Sequence, residues 1–264
     1  MIRRSIEKVG RYFIEFTQVI GMMGIFLIQC LQQMLLPPYK LNPVIKQIHF
    51  IGFRSVVIIA FTGLFTGMVI ALQGYHNLKD FGSTDLLGSA VGLSLIQELG
   101  PVLTALMVIG RAGSAICAEI GIMRHSEQID ALECMGIDPY RFLMVPKFLG
   151  AIISLPILTF IFDVIGILGG YIVGVVLMGV SEGSYFQGMY DSVDWKDVQL
   201  GLVKSLIFAV LIIWISTFKG YFLHILKAGN FGAEGVSRVT TDTVVLSSVI
   251  VLASDYLIGS VMLN

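Results

Sequence analysis

The residues best suited to chemistry in this sequence are ionisable side chains that lie within long apolar stretches. There are six of them: Glu98, Arg111, Glu119, Asp163, Lys204 and Asp255. A charge at the centre of a bilayer costs about 3 kcal/mol on insertion scales, so such a residue indicates either a functional site or a buried ion pair. Counted along their helices at about 1.5 Å per residue, Arg111 and Asp255 fall at similar depths. We therefore predict that Arg111 pairs with Asp255, with Asp163 as the rival partner, and that these charges and Glu119 serve a structural role.

Glu98 and Lys204 form a second group, because both fall near the extracytoplasmic edge of the predicted helices. Lys204 could attract the phosphate of a lipid headgroup, while Glu98 could orient the headgroup or pair with Lys204. The alternative is that both side chains simply reach for the membrane interface.

Motifs for other kinds of chemistry are missing from the sequence. No G-x-x-x-x-G-K-[ST] loop occurs, so ATP must be used by a separate chain and we expect no cofactor on this one. No H-E-x-x-H occurs and the four histidines are dispersed, so a metal site is not expected. A formal G-x-S-x-G match at 179–183 follows a membrane helix instead of a strand, so we predict no catalytic residue.

The elements that must position these residues are membrane helices. Hydrophobic residues make up 56% of the 264 positions and charged residues 13%, with a mean hydropathy of +0.86, which indicates an all-α polytopic membrane protein. A net charge of -1 argues against a nucleic-acid partner. The three cysteines, Cys30, Cys117 and Cys134, are interpreted as core residues. Five spans are predicted near 51–74, 99–122, 146–178, 198–217 and 243–262.

The distribution of basic residues predicts the orientation of these spans. Loops 37–50, 123–147 and 218–242 carry eight Lys and Arg residues, against one in each of the other two loops, and are placed in the cytoplasm. Four basic residues precede the apolar stretch 13–36, so we expect an interfacial or re-entrant helix there, although a span is the alternative. The N-terminus would then be cytoplasmic and the C-terminus periplasmic.

The whole chain, 1–264, is predicted to form a single domain with three parts. These are an N-terminal interfacial segment at 1–50, a transmembrane core at 51–264, and a cytoplasmic coupling loop at 123–147 within that core. Glycines four residues apart at 63 and 67, and at 166, 170 and 174, predict close helix packing.

Loop 123–147 has the pattern of a short amphipathic helix. Ser126 is predicted to cap it, and Gly136 and Pro139 to end it. An amphipathic helix on the cytoplasmic side is what docking of a soluble partner needs. The residues predicted to take part are Glu127, Gln128, Asp130, Leu132, Glu133, Met135 and Gly136.

Residues 98–139, ELGPVLTALMVIGRAGSAICAEIGIMRHSEQIDALECMGIDP, strongly resemble the MlaE family of ABC-transporter permeases. Supporting stretches include GMVIALQGY at 67–75 and DWKDVQLGLVKSLIFA at 194–209. The resemblance implies a homodimeric permease in the bacterial inner membrane, with a cytoplasmic ABC ATPase that uses ATP and Mg and docks on the coupling loop. It also implies a periplasmic MCE-domain lipid carrier and often a STAS-domain protein. The expected activity is movement of phospholipid between the inner membrane and the carrier, which maintains outer-membrane lipid asymmetry.

The resemblance also implies a lipid-binding set. Glu98 matches the acid of the family's E-L-G-P motif, and Lys204 matches its lysine in the penultimate span. Gln97 stands where some members have Arg, and Tyr75 closes the GMVIALQGY stretch. The alternative function is an ion-coupled secondary transporter of a lipid or hydrophobic solute, in which Asp163, Asp255 and Glu119 would relay a proton or cation.

Overall fold

The computed structural model describes residues 2–35, 41–223 and 232–262, and those residues contain helices and no strand. This confirms the predicted all-α membrane architecture. The α-helices are α1 Ile2–Leu35, α2 Leu41–Ile51, α3 Val56–Asp80, α4 Leu87–Ser94, α5 Gly100–Val108, α6 Ser114–His125, α7 Gln128–Cys134, α8 Val145–Tyr171, α9 Glu182–Ser192, α10 Trp195–Tyr221 and α11 Ala233–Met262.

Short π-helical turns interrupt the membrane helices. Leu95–Leu99 joins α4 to α5 and Ile109–Gly113 joins α5 to α6, so that one helical run extends over Thr84–His125. Two further turns, Tyr140–Met144 and Ile172–Leu177, flank α8. Such turns occur mostly at functional sites, and the first two carry Glu98 and Arg111.

Within the described residues, six helical segments are long and apolar enough to cross a membrane, one more than predicted. Five of them contain the predicted spans, and the sixth is Thr17–Leu35 within α1. Helix α1 is one continuous helix of 34 residues, about 50 Å long. Placement of α1 at the interface stays a prediction.

The predicted close packing at glycines is confirmed between α3 and α8. A Cβ added to Gly67 would overlap the backbone of Gly166, and one added to Gly63 would lie 2.8 Å from the carbonyl oxygen of Phe162. Close backbone approach is how membrane helices associate where apolar burial gives no driving force. These contacts fix α8 against α3 and so hold the side chains of α8 in register.

Among the side chains of α1 that the structure describes, a narrow stripe is buried, and this stripe packs against α10 and the segment around Tyr140. Trp214 Nε1 donates a hydrogen bond to the carbonyl oxygen of Met23 at 3.0 Å. Cys30 and Phe26 are buried, and Phe26 lies in an aromatic cluster with Tyr140, Phe218, Tyr221 and Phe222. Helix α1 is therefore fastened to the region of the coupling loop.

Candidate functional site

Lys204 is the centre of a three-residue ionic cluster. Its Nζ lies 2.7 Å from Glu98 Oε2 and 2.8 Å from Asp255 Oδ1. The lysine side chain is fully buried, whereas the side chain of Glu98 is 43% exposed and that of Asp255 is 18% exposed. The predicted Lys204–Glu98 pair is present, and Asp255 joins it as a second carboxylate.

Three separate elements bring this cluster together. Glu98 lies in the π turn Leu95–Leu99, Lys204 on α10 and Asp255 on α11. The π turn can approach α10 closely because residue 201 is glycine, whose missing Cβ would lie 2.6 Å from the carbonyl oxygen of Ile96. Gly259 on α11 leaves space beside the charges, since a Cβ there would be 3.7 Å from Glu98 Oε1 and 3.8 Å from Lys204 Nζ.

With both carboxylates ionised, the cluster carries one positive and two negative charges. A buried ion pair repays its desolvation cost only with good geometry and satisfied hydrogen bonds. Lys204 donates a hydrogen bond to Glu98, but Asp255 Oδ1 accepts no aligned hydrogen bond despite its ion pair. Glu98, the more exposed acid, is the group that an incoming ligand could displace from Lys204.

The other two predicted lipid-binding residues lie outside this ionic cluster. Gln97 Nε2 donates to Asp197 Oδ1 at 2.8 Å, in the first turn of α10. Tyr75 lies near the end of α3, with its ring 6.0 Å from Lys79 Nζ and edge-on to His76. Among the residues that the structure describes, Tyr75 makes no hydrogen bond to the cluster.

The predicted ion pair between Arg111 and Asp255 is wrong. Arg111 donates to Ser55 Oγ at 2.8 Å and to the carbonyl oxygen of Phe50, and its guanidinium lies over the Phe50 ring. It therefore satisfies a carbonyl in the last turn of α2, which has no partner within that helix. The depth argument failed because Lys204 offered Asp255 a nearer cation.

Glu119 has a structural partner that the sequence did not indicate. Lys147 Nζ lies 2.7 Å from Glu119 Oε2, with the lysine side chain 2% exposed and the carboxylate 48% exposed. This pair ties α6 to the first turn of α8. Like the Lys204–Glu98 pair, it joins a buried lysine to a partly exposed glutamate, but it involves different helices.

Asp163 pairs with neither Arg111 nor Lys204. Its Oδ1 atom is buried without a hydrogen-bond partner, and the carboxyl group occupies the space where a side chain on residue 100 would lie. The prediction of a rival Arg111–Asp163 pair is thus also wrong.

The coupling loop contains a short helix, α7, as predicted, but its start differs from the prediction. Glu127, with φ +57°, precedes the helix, and Ser126 Oγ donates back to the carbonyl oxygen of Ile122 instead of capping α7. Gly136, with φ +73°, ends the helix region as expected, because glycine adopts left-handed backbone without strain.

The side chains of this loop divide into an attached set and an exposed set. Ile129 is buried, Asp130 pairs with Arg124 at 2.7 Å, and Glu133 accepts a hydrogen bond from Tyr221. Leu132 is half-buried. The exposed residues are Glu127, Gln128, Cys134, Met135 and Gly136. Exposure of Cys134 corrects its interpretation as a core residue.

A hydrogen bond links α1 to the same loop. Gln33 Nε2 donates to Asp138 Oδ2 at 2.8 Å, and the two segments border a cleft of about 570 Å³. Glutamines are visible in this stretch of the sequence, but their contacts could not be predicted from it. The aromatic cluster around Phe26 was likewise missed, because its members lie up to about 200 positions apart and share no local pattern.

No group of three or more His, Cys, Asp or Glu side chains able to hold a metal ion occurs in the described parts of the chain, and His224 lies outside them. The spacing of histidines had given no reason to expect one.

Comparison with known proteins gives a consistent result over nearly the whole chain. Residues 44–261 match the family described as Permease MlaE. The intermembrane phospholipid transport system permease protein MlaE of Haemophilus influenzae is 42% identical, with 99% of this chain and 98% of the relative covered. A probable ABC transporter permease of Rickettsia prowazekii is 39% identical over 98% of this chain and 97% of its own length. The chloroplastic protein TRIGALACTOSYLDIACYLGLYCEROL 1 of Arabidopsis thaliana is 30% identical over 82% of this chain and 60% of its own length.

Proposed function

Because the chain belongs to the MlaE family of permeases, we propose that it is the membrane subunit of an ATP-driven transporter that moves phospholipid between the inner membrane and a periplasmic MCE-domain carrier. The relatives named as ABC transporter permeases support a subunit that leaves ATP hydrolysis to a partner chain. In this proposal two copies of the chain form a homodimer, a STAS-domain protein can bind the ATPase, and transport maintains outer-membrane lipid asymmetry. The N-terminus is cytoplasmic and the C-terminus periplasmic.

The observation that carries the lipid site is a fully buried lysine held by a partly exposed acid. Lys204 has no exposure of its own and Glu98 covers it from the more open side. A phosphate is a strong acceptor for an ammonium group, so a headgroup that displaces Glu98 gains a charge-assisted hydrogen bond in a dry environment.

The charge of the cluster sets a preference among headgroups. Lys204 with two ionised carboxylates has a net charge of about -1, which opposes a purely anionic lipid. A zwitterionic headgroup such as phosphoethanolamine can place its phosphate on Lys204 and its ammonium on the released Glu98. We therefore propose zwitterionic phospholipid as the preferred substrate.

Coupling to the ATPase is assigned to α7 and its exposed neighbours. Met135, the residue directly after α7, is 65% exposed, whereas Ile129 within α7 is buried. The attached side leads through Glu133 and Tyr221 to the end of α10, the helix that carries Lys204. Movement of α7 by an ATPase would thus be transmitted to the lysine's own helix, giving two states with different lipid affinity.

The test is reconstitution of the permease with its ATPase and carrier in donor vesicles that contain labelled phosphatidylethanolamine. ATP-dependent arrival of label on the carrier, or its ATP-dependent loss from the carrier, is the expected result. Met135→Asp should abolish this movement while the purified permease stays folded, because a charge replaces an exposed apolar contact. Gln187→Asp introduces the same residue at an exposed position of α9, outside the coupling loop, and should keep transport. Full transport by Met135→Asp contradicts the coupling assignment.

The ion-coupled alternative gains no support from the arrangement of its three acids. Asp255 and Glu119 are each bound to a different lysine, and those ion pairs lie on different helices. A relay needs groups that exchange a proton with one another. Transport driven by an ion gradient in the absence of the ATPase would overturn the proposed function.

A further inference from the structure

The carboxyl group of Asp163 is unlike the other charged groups in the membrane helices, because no cation holds it. It lies on α8 against the Cα of Gly100, and only the absence of a side chain at residue 100 makes room for it. Its Oδ1 is buried and has no hydrogen-bond partner.

The backbone oxygen beside the Asp163 carboxyl group is the Leu95 carbonyl oxygen, which is also a hydrogen-bond acceptor. The carbonyl oxygen of Leu95 lies 2.8 Å from the position that a Cβ on Gly100 would take, which is the same space that Asp163 Oδ1 enters. The next residue is Pro101, which has no N–H to donate. The nearest backbone N–H, that of Gly100, is already donated to the Leu95 carbonyl oxygen, so Asp163 Oδ1 is left without a donor beside that oxygen.

The neighbouring elements supply no compensating charge. In the π turn Leu95–Leu99 the ionisable group is Glu98, and on the adjacent part of α10 it is Lys204; these two are bound to each other. Helices α4 and α5 contain no ionisable residue, and α3 has none between Val56 and Gly74. The remaining ionisable residues of α10 are at its two ends.

The hydroxyl groups along the same helix contact do not pair with Asp163 either. Thr159 lies one turn away on α8, and Thr104 lies one turn beyond Gly100 on α5, as expected for antiparallel helices. Both hydroxyl oxygens are buried and lack hydrogen-bond partners. An ionised carboxylate here would have its Oδ1 atom buried without a cation or a donor, and such burial favours the protonated form.

We infer that Asp163 is a proton-binding site: its carboxyl group is a neutral acid in this conformation, with the acidic hydrogen directed at the Leu95 carbonyl oxygen. The bound proton supplies the donor that the geometry lacks. It joins α8 to the π turn that carries Glu98. Loss of the proton would set a negative charge against a carbonyl oxygen and push this turn away from α8, so proton binding at Asp163 controls the position of Glu98 beside Lys204. This inference is independent of which solute is transported.

The test is infrared spectroscopy of the full chain in a maltoside detergent, which has no C=O group, titrated from acidic to alkaline pH. A protonated carboxyl group gives a C=O stretching band separate from those of carboxylates and amides. We expect wild-type protein to keep one such band at neutral pH, Asp163→Asn to lose it, and the control Asp255→Asn to retain it. An unchanged band in Asp163→Asn, or no band in wild type at neutral pH, overturns the inference.

A second measurement does not depend on the stability of any variant. Wild-type protein produced with aspartate labelled with carbon-13 at the side-chain carboxyl should show the same band at lower frequency. A band that does not move with this label arises from a glutamate, which would equally overturn the assignment to Asp163.

Discussion

Replacement of Lys204 by Met tests the ionic cluster most directly. Lys204→Met keeps an unbranched side chain of similar length but removes the charge that two carboxylates share at 2.7 and 2.8 Å. Removal of one partner of a buried ion pair typically costs 3–5 kcal/mol, because an uncompensated charge stays behind. Glu98 is 43% exposed and can turn toward water, so most of the cost falls on Asp255, which is 18% exposed.

We therefore expect a loss near the lower end, about 3 kcal/mol, which is about a 100-fold change in the ratio of folded to unfolded protein. The double variant Lys204→Met with Asp255→Asn removes the stranded charge and should recover most of this loss. Thermal unfolding of the purified permease in detergent measures both effects. Lipid transport should remain abolished in the double variant, because the phosphate-binding ammonium group is still missing.

Lys147→Met is the matched control. Lys147 is also buried, and its partner Glu119 has nearly the same exposure as Glu98, but this pair lies between α6 and α8. It should lower stability by a similar or smaller amount, while the folded fraction still transports phosphatidylethanolamine. A Lys204→Met protein that is as stable as wild type, or a double variant no more stable than the single, would refute the reasoning about stranded charge.

Three further changes have expected outcomes. Gly67→Ala should lower stability by about 3 kcal/mol by overpacking α3 against α8, whereas Gly24→Ala, with no atom within 4 Å of the new Cβ, should leave thermal unfolding unchanged or slightly raised. Tyr185→Phe should cost about 1 kcal/mol of stability by removing the hydrogen bond to the Ile167 carbonyl oxygen. Burial raises the pKa of Tyr185, so its contribution to wild-type stability is present below the ordinary tyrosine pKa and is lost as pH rises through the raised pKa. Denaturation curves should show this alkaline loss of stability in wild type and not in Tyr185→Phe. Phe26→Ala should cost about 3 kcal/mol and reduce ATPase binding measured by co-purification, with unchanged ATPase binding contradicting a role for α1 in seating the coupling loop.

The membrane helices could be predicted from sequence because bilayer thickness imposes a length on apolar runs. Glycine spacing likewise predicted the contact of α3 with α8, since only small residues permit such close approach. The Glu98–Lys204 pair followed from their common depth and from the family resemblance.

Charge partners deeper in the membrane could not be predicted in the same way. Depth along a helix fixes one coordinate of a side chain, whereas pairing also depends on which helices are neighbours and which faces they present. Counting residues predicted one depth for Arg111 and Asp255, but Asp255 meets Lys204 beside Glu98, which lies about 20 Å before Arg111 on the same helical run. Arg111 reaches Phe50 on α2 instead. The π turns add to this error, because each shifts the helix face by one residue.

The π turn at Leu95–Leu99 has a consequence for how this chain can tolerate length changes. An α-helix turns by about 100° per residue, and a π turn holds one residue more than regular α-helix, so deleting one residue from this turn would restore regular winding within it while α4 and α5 keep their faces. Glu98 and Gly100 could then no longer meet Lys204 and Asp163 together. A chain shortened by one residue at this point would keep its hydropathy, its charges and its number of spans. It would lose the simultaneous contacts of Glu98 with Lys204 and of Gly100 with Asp163.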